Sequence, residues 1–259
     1  MSHVVRLLWF RVPASGDPRP EDLGLLDREE RVRAERFTVD HPRRVFVAAR
    51  AALRLFLGQE LGADPATLKF SFGPHGKPRL DPPEDLHFNL SHSGVTVVMA
   101  LAHGVEIGID VEELRPTVST LRLARRFFAP SEAAAVEAEG DSERVRTFFH
   151  CWTAKEAVLK ATGSGLTVPI HEVEVDPDPD RPPRVIAIGG KSEEAARWTL
   201  LRHEIPGDWI ATVAIRDGES QLVVEERKQA IRPANPACSC SPGRSERPAD
   251  TPGASVGER

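Results

Sequence analysis

Ile107-Gly108-Ile109-Asp110-Val111-Glu112 alternates strictly between branched apolar residues and glycine or acid. That period of two makes it a strand, with Asp110 and Glu112 projecting from one face. A second stretch, Trp152-Thr153-Ala154-Lys155-Glu156-Ala157-Val158-Leu159-Lys160, continues a helical apolar stripe formed by Val145, Phe148, Phe149, Trp152 and Leu159. Lys155 and Glu156 fall where that stripe should continue. Charges at the edge of a core stripe are costly unless partnered. Taken singly, each pattern is ordinary: a wet strand face, and an ion pair on a helix shoulder. Together they supply Asp110, Glu112 and Glu156 as hard oxygen donors suited to Mg²⁺, with Lys155 and Lys160 as positive charge for phosphates. Glu156 and Lys160 are four apart and share a helix face. The combination points to a divalent cation and a phosphate-bearing substrate.

Outward from these stretches the chain alternates helices and strands. Val4–Val12 reads as an opening strand and Leu26–Phe37 as a charged helix. A longer helix follows Pro42, with Phe46, Ala49, Leu53, Phe56 and Leu57 as its stripe and Gly62 as its stop. Leu68–Phe72 and Leu86–Leu90 read as strands. Val95–Ala102 and Val105–Glu112 read as a hairpin closed by His103-Gly104. The second half begins with helices at Leu121–Phe128, Ser131–Ala138 and Ser142–Thr162, the last stopped by Gly163 and Gly165. Strands follow near His171–Val175, Val185–Ile188, Trp198–His203, Trp209–Ile215 and Leu222–Glu225. The fold class expected is α+β, without a sequence repeat. From Arg227 the chain carries five prolines and no aromatic residue, the composition of a disordered tail. Cys238 and Cys240 in that tail have no histidine or second cysteine pair nearby, so they do not make a metal site.

Composition narrows the function. The chain has 259 residues, 40% of them hydrophobic, three cysteines and a net charge of −5. No apolar run approaches a membrane span of roughly 18 residues, and the N-terminus lacks signal-peptide features. The cysteine count does not make a disulfide framework, so a cytoplasmic setting is expected. An acidic body argues against general nucleic-acid binding. The local exception is residues 28–54, with eight arginines against four acids. Most of these read as a solvated helix face; as a patch they could meet phosphates or an acidic partner.

Two loops add to the chemistry. Gly73-Pro74-His75-Gly76-Lys77-Pro78 is a rigid turn that can hold Lys77 toward a ligand. Ser91-His92-Ser93-Gly94 reads as a turn at a strand end, where backbone N–H groups, a hydroxyl and an imidazole can gather around a phosphate. No strand–Gly-x-Ser-x-Gly–helix elbow surrounds either serine, so a serine hydrolase is a poor reading. Trp152 reads as a core anchor and Cys151 as a buried bystander.

In order and spacing, four segments resemble the Sfp-type 4′-phosphopantetheinyl transferases. They are Phe72 to Pro78, Phe88-Asn89-Leu90-Ser91-His92-Ser93-Gly94, Ile107 to Glu112, and Trp152 through Lys160 to Gly163, Gly165 and Leu166. Arg126-Phe127-Phe128 falls where that family has an arginine–aromatic pair. The resemblance runs from about Leu26 to Ile215. It implies two similar α+β halves, residues 1–108 and 109–226, followed by the tail 227–259, with coenzyme A as co-substrate in the cleft between the halves. It implies transfer of phosphopantetheine from coenzyme A to a serine of an acidic acyl or peptidyl carrier protein, with release of 3′,5′-ADP. By motif position, Asp110, Glu112 and Glu156 would hold Mg²⁺, or Mn²⁺ in its place. Glu156 would also be the candidate base, and Lys160 would join it in catalysis. Arg44, Lys77, Ser91, His92 and Lys160 would contact coenzyme A phosphates, with Lys155 beside them. Glu30 departs from the pattern, standing at a helix position that is basic in some members, though Arg31 and Arg33 lie close. An internally paired fold makes a monomer sufficient. The positively charged candidates for carrier docking are residues 28–54 and the cluster Arg122, Arg125, Arg126. The rival readings are a Mg²⁺-dependent nucleotide or coenzyme A phosphohydrolase and a non-catalytic coenzyme A- or carrier-binding module.

Overall fold

The computed structural model describes residues 2–74, 76–163, 169–216 and 219–226. The tail from Arg227, Gly165 and Leu166, and His75 lie outside the described residues. The elements are β1 (Ser2–Arg11), α1 (Pro20–Leu25), α2 (Arg28–Glu35), α3 (Asp40–Leu61), β2 (Phe70–Phe72), β3 (Pro78–Leu80), β4 (Leu86–Ser93), β5 (Thr96–His103) and β6 (Ile107–Glu113). They continue with α4 (Thr120–Phe127), α5 (Pro130–Ala138), α6 (Asp141–Thr162), β7 (Val173–Val175), β8 (Val185–Ile188), α7 (Ser192–Ala195), β9 (Trp198–Ile205), β10 (Trp209–Arg216) and β11 (Glu219–Glu226).

Each half is a long helix laid on a sheet, mixed in the first half and antiparallel in the second. The first sheet runs β11-β1-β5-β4, the second β6-β10-β9. The strand period explains the layering. Leu8, Phe10, Val97, Met99 and Leu101 face α3, where they meet Val45, Ala49, Leu53 and Phe56. The alternate residues Val5, Leu7, Val98, Ala100 and Ala102 face the second sheet and meet Ile107, Ile109, Val111, Ala211 and Val213. The far face of the second sheet, through Leu200, Ile210 and Ala214, packs on Ala154, Ala157, Val158 and Ala161 of α6. The order is therefore helix, sheet, sheet, helix. Both α3 and α6 have 22 residues and end at a glycine in the left-handed conformation, Gly62 and Gly163, each with φ of 62°. The halves match in build although the sequence shows no repeat.

Four expectations change. β5 and β6 are not a hairpin. β5 pairs with β1 and β4, while β6 pairs with β10 in the other sheet. His103-Gly104 carries the chain across, because β5 is buried on both faces and one of them is covered by β6 itself. Ser91-His92-Ser93 is not a turn: β4 continues through Ser93, and Gly94 makes the turn with φ of 53°. The expected helix from Leu26 is interrupted at Asp27, whose carboxylate accepts from Glu30 N in a capping box, so α2 starts at Arg28. The last strand leaves the second half: β11 lies parallel beside β1, with Ser2 opposite Glu219 and Trp9 opposite Glu226. No helix among the described residues is long and apolar enough to cross a membrane.

Candidate active site

The site forms where β4, an edge of the first sheet, meets β6, an edge of the second. Glycine sets the approach of α6. A Cβ on Gly108 would stand 2.1 Å from Ala157 O and 2.4 Å from Ala161 N. Without one, α6 lies directly against β6. Ile107, Ile109 and Val111 are committed to the core between the sheets, so Gly108, Asp110 and Glu112 face the opposite way. The acid face of β6 is thus not its wet face: Asp110 is 4% exposed. A period of two separates the two faces but does not say which one water reaches.

β4 and β6 are joined by side chains. Asn89 Oδ1 accepts from Ile109 N at 2.9 Å, Ser91 Oγ donates to Asp110 Oδ1 at 2.9 Å, and Ser93 Oγ donates to Glu112 Oε2 at 2.6 Å. Residues 89, 91 and 93 share one face of a strand, so one polar ladder ties both sheets together. From α6, Lys160 Nζ donates to Asp110 Oδ1 at 2.6 Å and to Ser91 Oγ at 2.9 Å. Asp110 Oδ2 is buried with no hydrogen-bond partner. Burial raises the pKa of Glu156, and the neighbouring charges of Asp110 and Glu112 raise it further against the opposing pull of Lys160. Burial also raises Glu112, with Asp110 adding to the shift and the Ser93 hydrogen bond opposing it. Three acids crowded in this way, one with a bare buried oxygen, are electrostatically short of a cation. Among the described residues they do not converge closely enough to make a ready metal cluster. Their donor chemistry and the orphaned Oδ2 fit a hard divalent ion.

From this cluster a cleft of about 590 Å³ opens between the halves, within the range of small-molecule sites. Its walls are Pro42, Phe46, Ala49 and Arg50 of α3, Asn89, Leu90 and His92 of β4, Glu156, Leu159 and Lys160 of α6, and Phe72, Gly76, Lys77 and Pro78. His92 alternates with the two serines and so faces the cleft. Burial, then the charges of Lys160 and His41, lower its pKa. Lys77 reaches across to the second half, donating to Ile107 O at 2.9 Å and Ala161 O at 3.0 Å. Burial lowers its pKa to about 8.

Of the residues singled out in the sequence, Asp110, Glu112, Glu156, Lys160, Ser91, His92 and Lys77 come together at the cleft. Lys155 does not. It is fully buried on the far side of α6, 2.6 Å from Glu132 Oε2, and donates to the carbonyls of Ile170 and Val173. Glu132 in turn accepts from Ala129 N and Val175 N. The departure of Lys155 from the core stripe is settled by a buried partner, not by a ligand. Arg44 is also elsewhere, donating to Ala14 O. Cys151 is buried, with its pKa raised by burial. Trp152 packs against Phe148 with ring centroids 5.7 Å apart. Asn89, Ser93 and Arg50 went unmarked in the sequence. For the first two the signal was polar residues at i, i+2, i+4 in a strand. For Arg50 it was a charge on the core stripe of α3, the same signal that drew attention to Lys155.

A cleft between two helix-backed sheets, with acids and a lysine at one end and guanidiniums beside aromatic rings along its wall, defines an enzyme that handles a phosphate-bearing substrate. Comparison with known proteins makes this specific. Residues 106–214 match the 4′-phosphopantetheinyl transferase superfamily, and residues 21–103 match the 4′-phosphopantetheinyl transferase N-terminal family. The chain is 38% identical over 213 residues to the 4′-phosphopantetheinyl transferase HetI of a Nostoc species, covering 80% of this chain and 86% of that protein. It is 29% identical over 163 residues to the transferase Sfp of Bacillus subtilis, covering 63% and 71%. It is 36% identical over 122 residues to AcpT of Salmonella typhimurium, covering 47% and 62%. The chain belongs to the 4′-phosphopantetheinyl transferase superfamily.

Proposed function

We propose that this enzyme transfers the 4′-phosphopantetheine arm of coenzyme A to a serine of a carrier protein and releases 3′,5′-ADP. The observation that carries the reading is Asp110. One oxygen is held by Lys160 and Ser91, and the other is buried and bare, beside Glu112 and Glu156 at the end of the cleft. Mg²⁺ held by Asp110, Glu112 and Glu156 would offset charge on the pyrophosphate oxygens. Lys160, fixed between Ser91 and Asp110, places its ammonium where that charge grows. The carrier serine Oγ forms a bond to the phosphorus bearing pantetheine, and the bond from that phosphorus to the bridging oxygen breaks, so 3′,5′-ADP leaves with the electron pair. Glu156 takes the serine proton, as the acid of the cluster carried on α6 beside Lys160. His92 faces the same end and would contact the pyrophosphate. The exposed Arg122 and Arg126 on one face of α4 suit an acidic carrier surface. Residues 1–108 and 109–226 supply opposite walls of the cleft, β11 returning to the first sheet, so one chain suffices.

Intact-mass measurement of apo-carrier proteins after incubation with enzyme, coenzyme A and Mg²⁺ tests the reading. A gain equal to phosphopantetheine is expected. Release of 3′,5′-ADP without any carrier would favour a phosphohydrolase instead. Glu156→Gln should bind coenzyme A yet transfer roughly 10²–10⁴-fold more slowly. Near-complete rescue by excess Mg²⁺ would leave Glu156 as a ligand and not the base.

A further inference from the structure

Two backbone carbonyls at the meeting of β6 and α6 are taken by one lysine from the other half. Arg216 N donates to Glu106 O, so that pair is hydrogen-bonded between β10 and β6. By the alternation of an antiparallel ladder, Ile107 then turns its carbonyl away from β10, toward the edge of the second sheet. The last carbonyls of a helix lack intrahelical donors as well. On α6, Thr162 Oγ1 covers Leu159 O and Gly163 N covers Lys160 O, which among the described residues leaves Ala161 O to a partner from outside the helix. Lys77 Nζ donates to Ile107 O at 2.9 Å and to Ala161 O at 3.0 Å. Its stem passes 3.6 Å from the point where a Cβ on Gly163 would stand, and its charge meets the negative end of the α6 dipole. The turn that carries it is tied to itself, with Gly73 N donating to Lys77 O at 3.0 Å.

These two carbonyls belong to the elements that bring the reacting charges together. Ala161 follows Lys160 on α6, and Ile107 stands three residues before Asp110 on β6. Between them lies Gly108, pressed against Ala157 O and Ala161 N. We infer that Lys77 is a positioning residue: resting on the proposed function, it staples the end of α6 to the start of β6 from the opposite half and so holds Lys160 in register with Asp110. This differs from the phosphate contact that the family resemblance implies for Lys77. Two of the ammonium's donors are spent on main chain, and burial disfavours the charge that a phosphate would call on.

Lys77→Met keeps the stem and removes the amine. At saturating coenzyme A and apo-carrier, its single-turnover transfer rate should fall roughly ten- to a hundred-fold, the cost of a reacting group misplaced by about 1 Å. Calorimetric affinity for coenzyme A and for 3′,5′-ADP should stay within about twofold of wild type, whereas losing a charge-assisted phosphate bond would weaken either by about tenfold or more. An unchanged rate, or a loss of affinity as large as the loss of rate, overturns the assignment. The wild-type chain gives a second measurement that does not depend on the folding of a variant. Acetylation followed by peptide mass spectrometry should label Lys77 more slowly than the exposed Lys69 and Lys191, with or without coenzyme A. Labelling of Lys77 as fast as theirs, and slowed only by coenzyme A, overturns the staple. Absence of transfer by the wild-type chain from coenzyme A would refute the proposed function and leave the labelling comparison intact.

Discussion

At the residue scale, two lysines in family-like positions are distinguished by their partners. Lys155 forms a fully buried ion pair with Glu132. Breaking such a pair from one side costs about 3–5 kcal/mol, because it leaves a buried charge unpaired. Lys155→Met should therefore lower the unfolding free energy by about that amount, while the folded fraction keeps its coenzyme A affinity. A variant of unchanged stability with weakened coenzyme A binding would place Lys155 in the cleft after all. Lys77 behaves differently because burial lowers its pKa to about 8, against 10.5 for a free lysine. Between those values the unfolded chain holds a proton that the folded chain has released. Stability contributed by Lys77 therefore rises with pH from about 8 toward 10.5, and the penalty for charging it is fully present below about 8. Denaturant titrations of the wild-type chain and Lys77→Met should show the wild type gaining on the variant across that window. A constant difference would mean that Lys77 is not desolvated by its contacts with Ile107 O and Ala161 O.

At the element scale, the site depends on how closely α6 approaches β6. Gly108 permits that approach, and Asn89 holds β6 to β4 through Ile109 N. The contacts that a methyl group would make at position 108 are with helix backbone, which cannot rotate away. Gly108→Ala should cost about 3 kcal/mol or more, at the upper end of overpacking. It should also lower transfer activity, because Asp110 and Lys160 lie on the two elements that would be forced apart. A thermal melt and a transfer assay on the same preparation check this. Wild-type values in both would show that the two elements can separate without disturbing the site.

At the scale of the whole molecule, β11 ties the end of the second half to the start of the first. Eight residue pairs run from Ser2–Glu219 to Trp9–Glu226. A chain ending at Arg216 would leave β1 an open edge, with its outward N–H and C=O groups unpaired. It should melt at a lower temperature and aggregate more readily than a chain ending at Glu226, which keeps β11 and should retain turnover. Equal melting temperatures for the two truncations would show that β11 contributes no stability to the sheet.

Local pattern carried the parts of this protein that depend on neighbours along the chain. The alternation of Ile107 to Glu112 fixed a strand and the side-chain set containing both acids. The stripe of α6 fixed a helix on which Glu156 and Lys160 share a face. The glycines after α3 and α6 fixed where both helices stop. Each follows from backbone periodicity or from glycine's freedom at positive φ. What depends on long-range packing was not legible. The alternation of β5 and β6 fits a hairpin as well as two stacked sheets. Only the burial of Val98, Ala100 and Ala102 against Ile107, Ile109 and Val111 decides between them. Likewise a lysine on a core stripe signals that a partner exists without naming it. For Lys155 the partner was Glu132, 23 residues away in sequence and brought beside it by the packing of α5 on α6. Tertiary structure decided the pairing because the cost of a buried charge is met by whichever opposite charge the fold brings within reach.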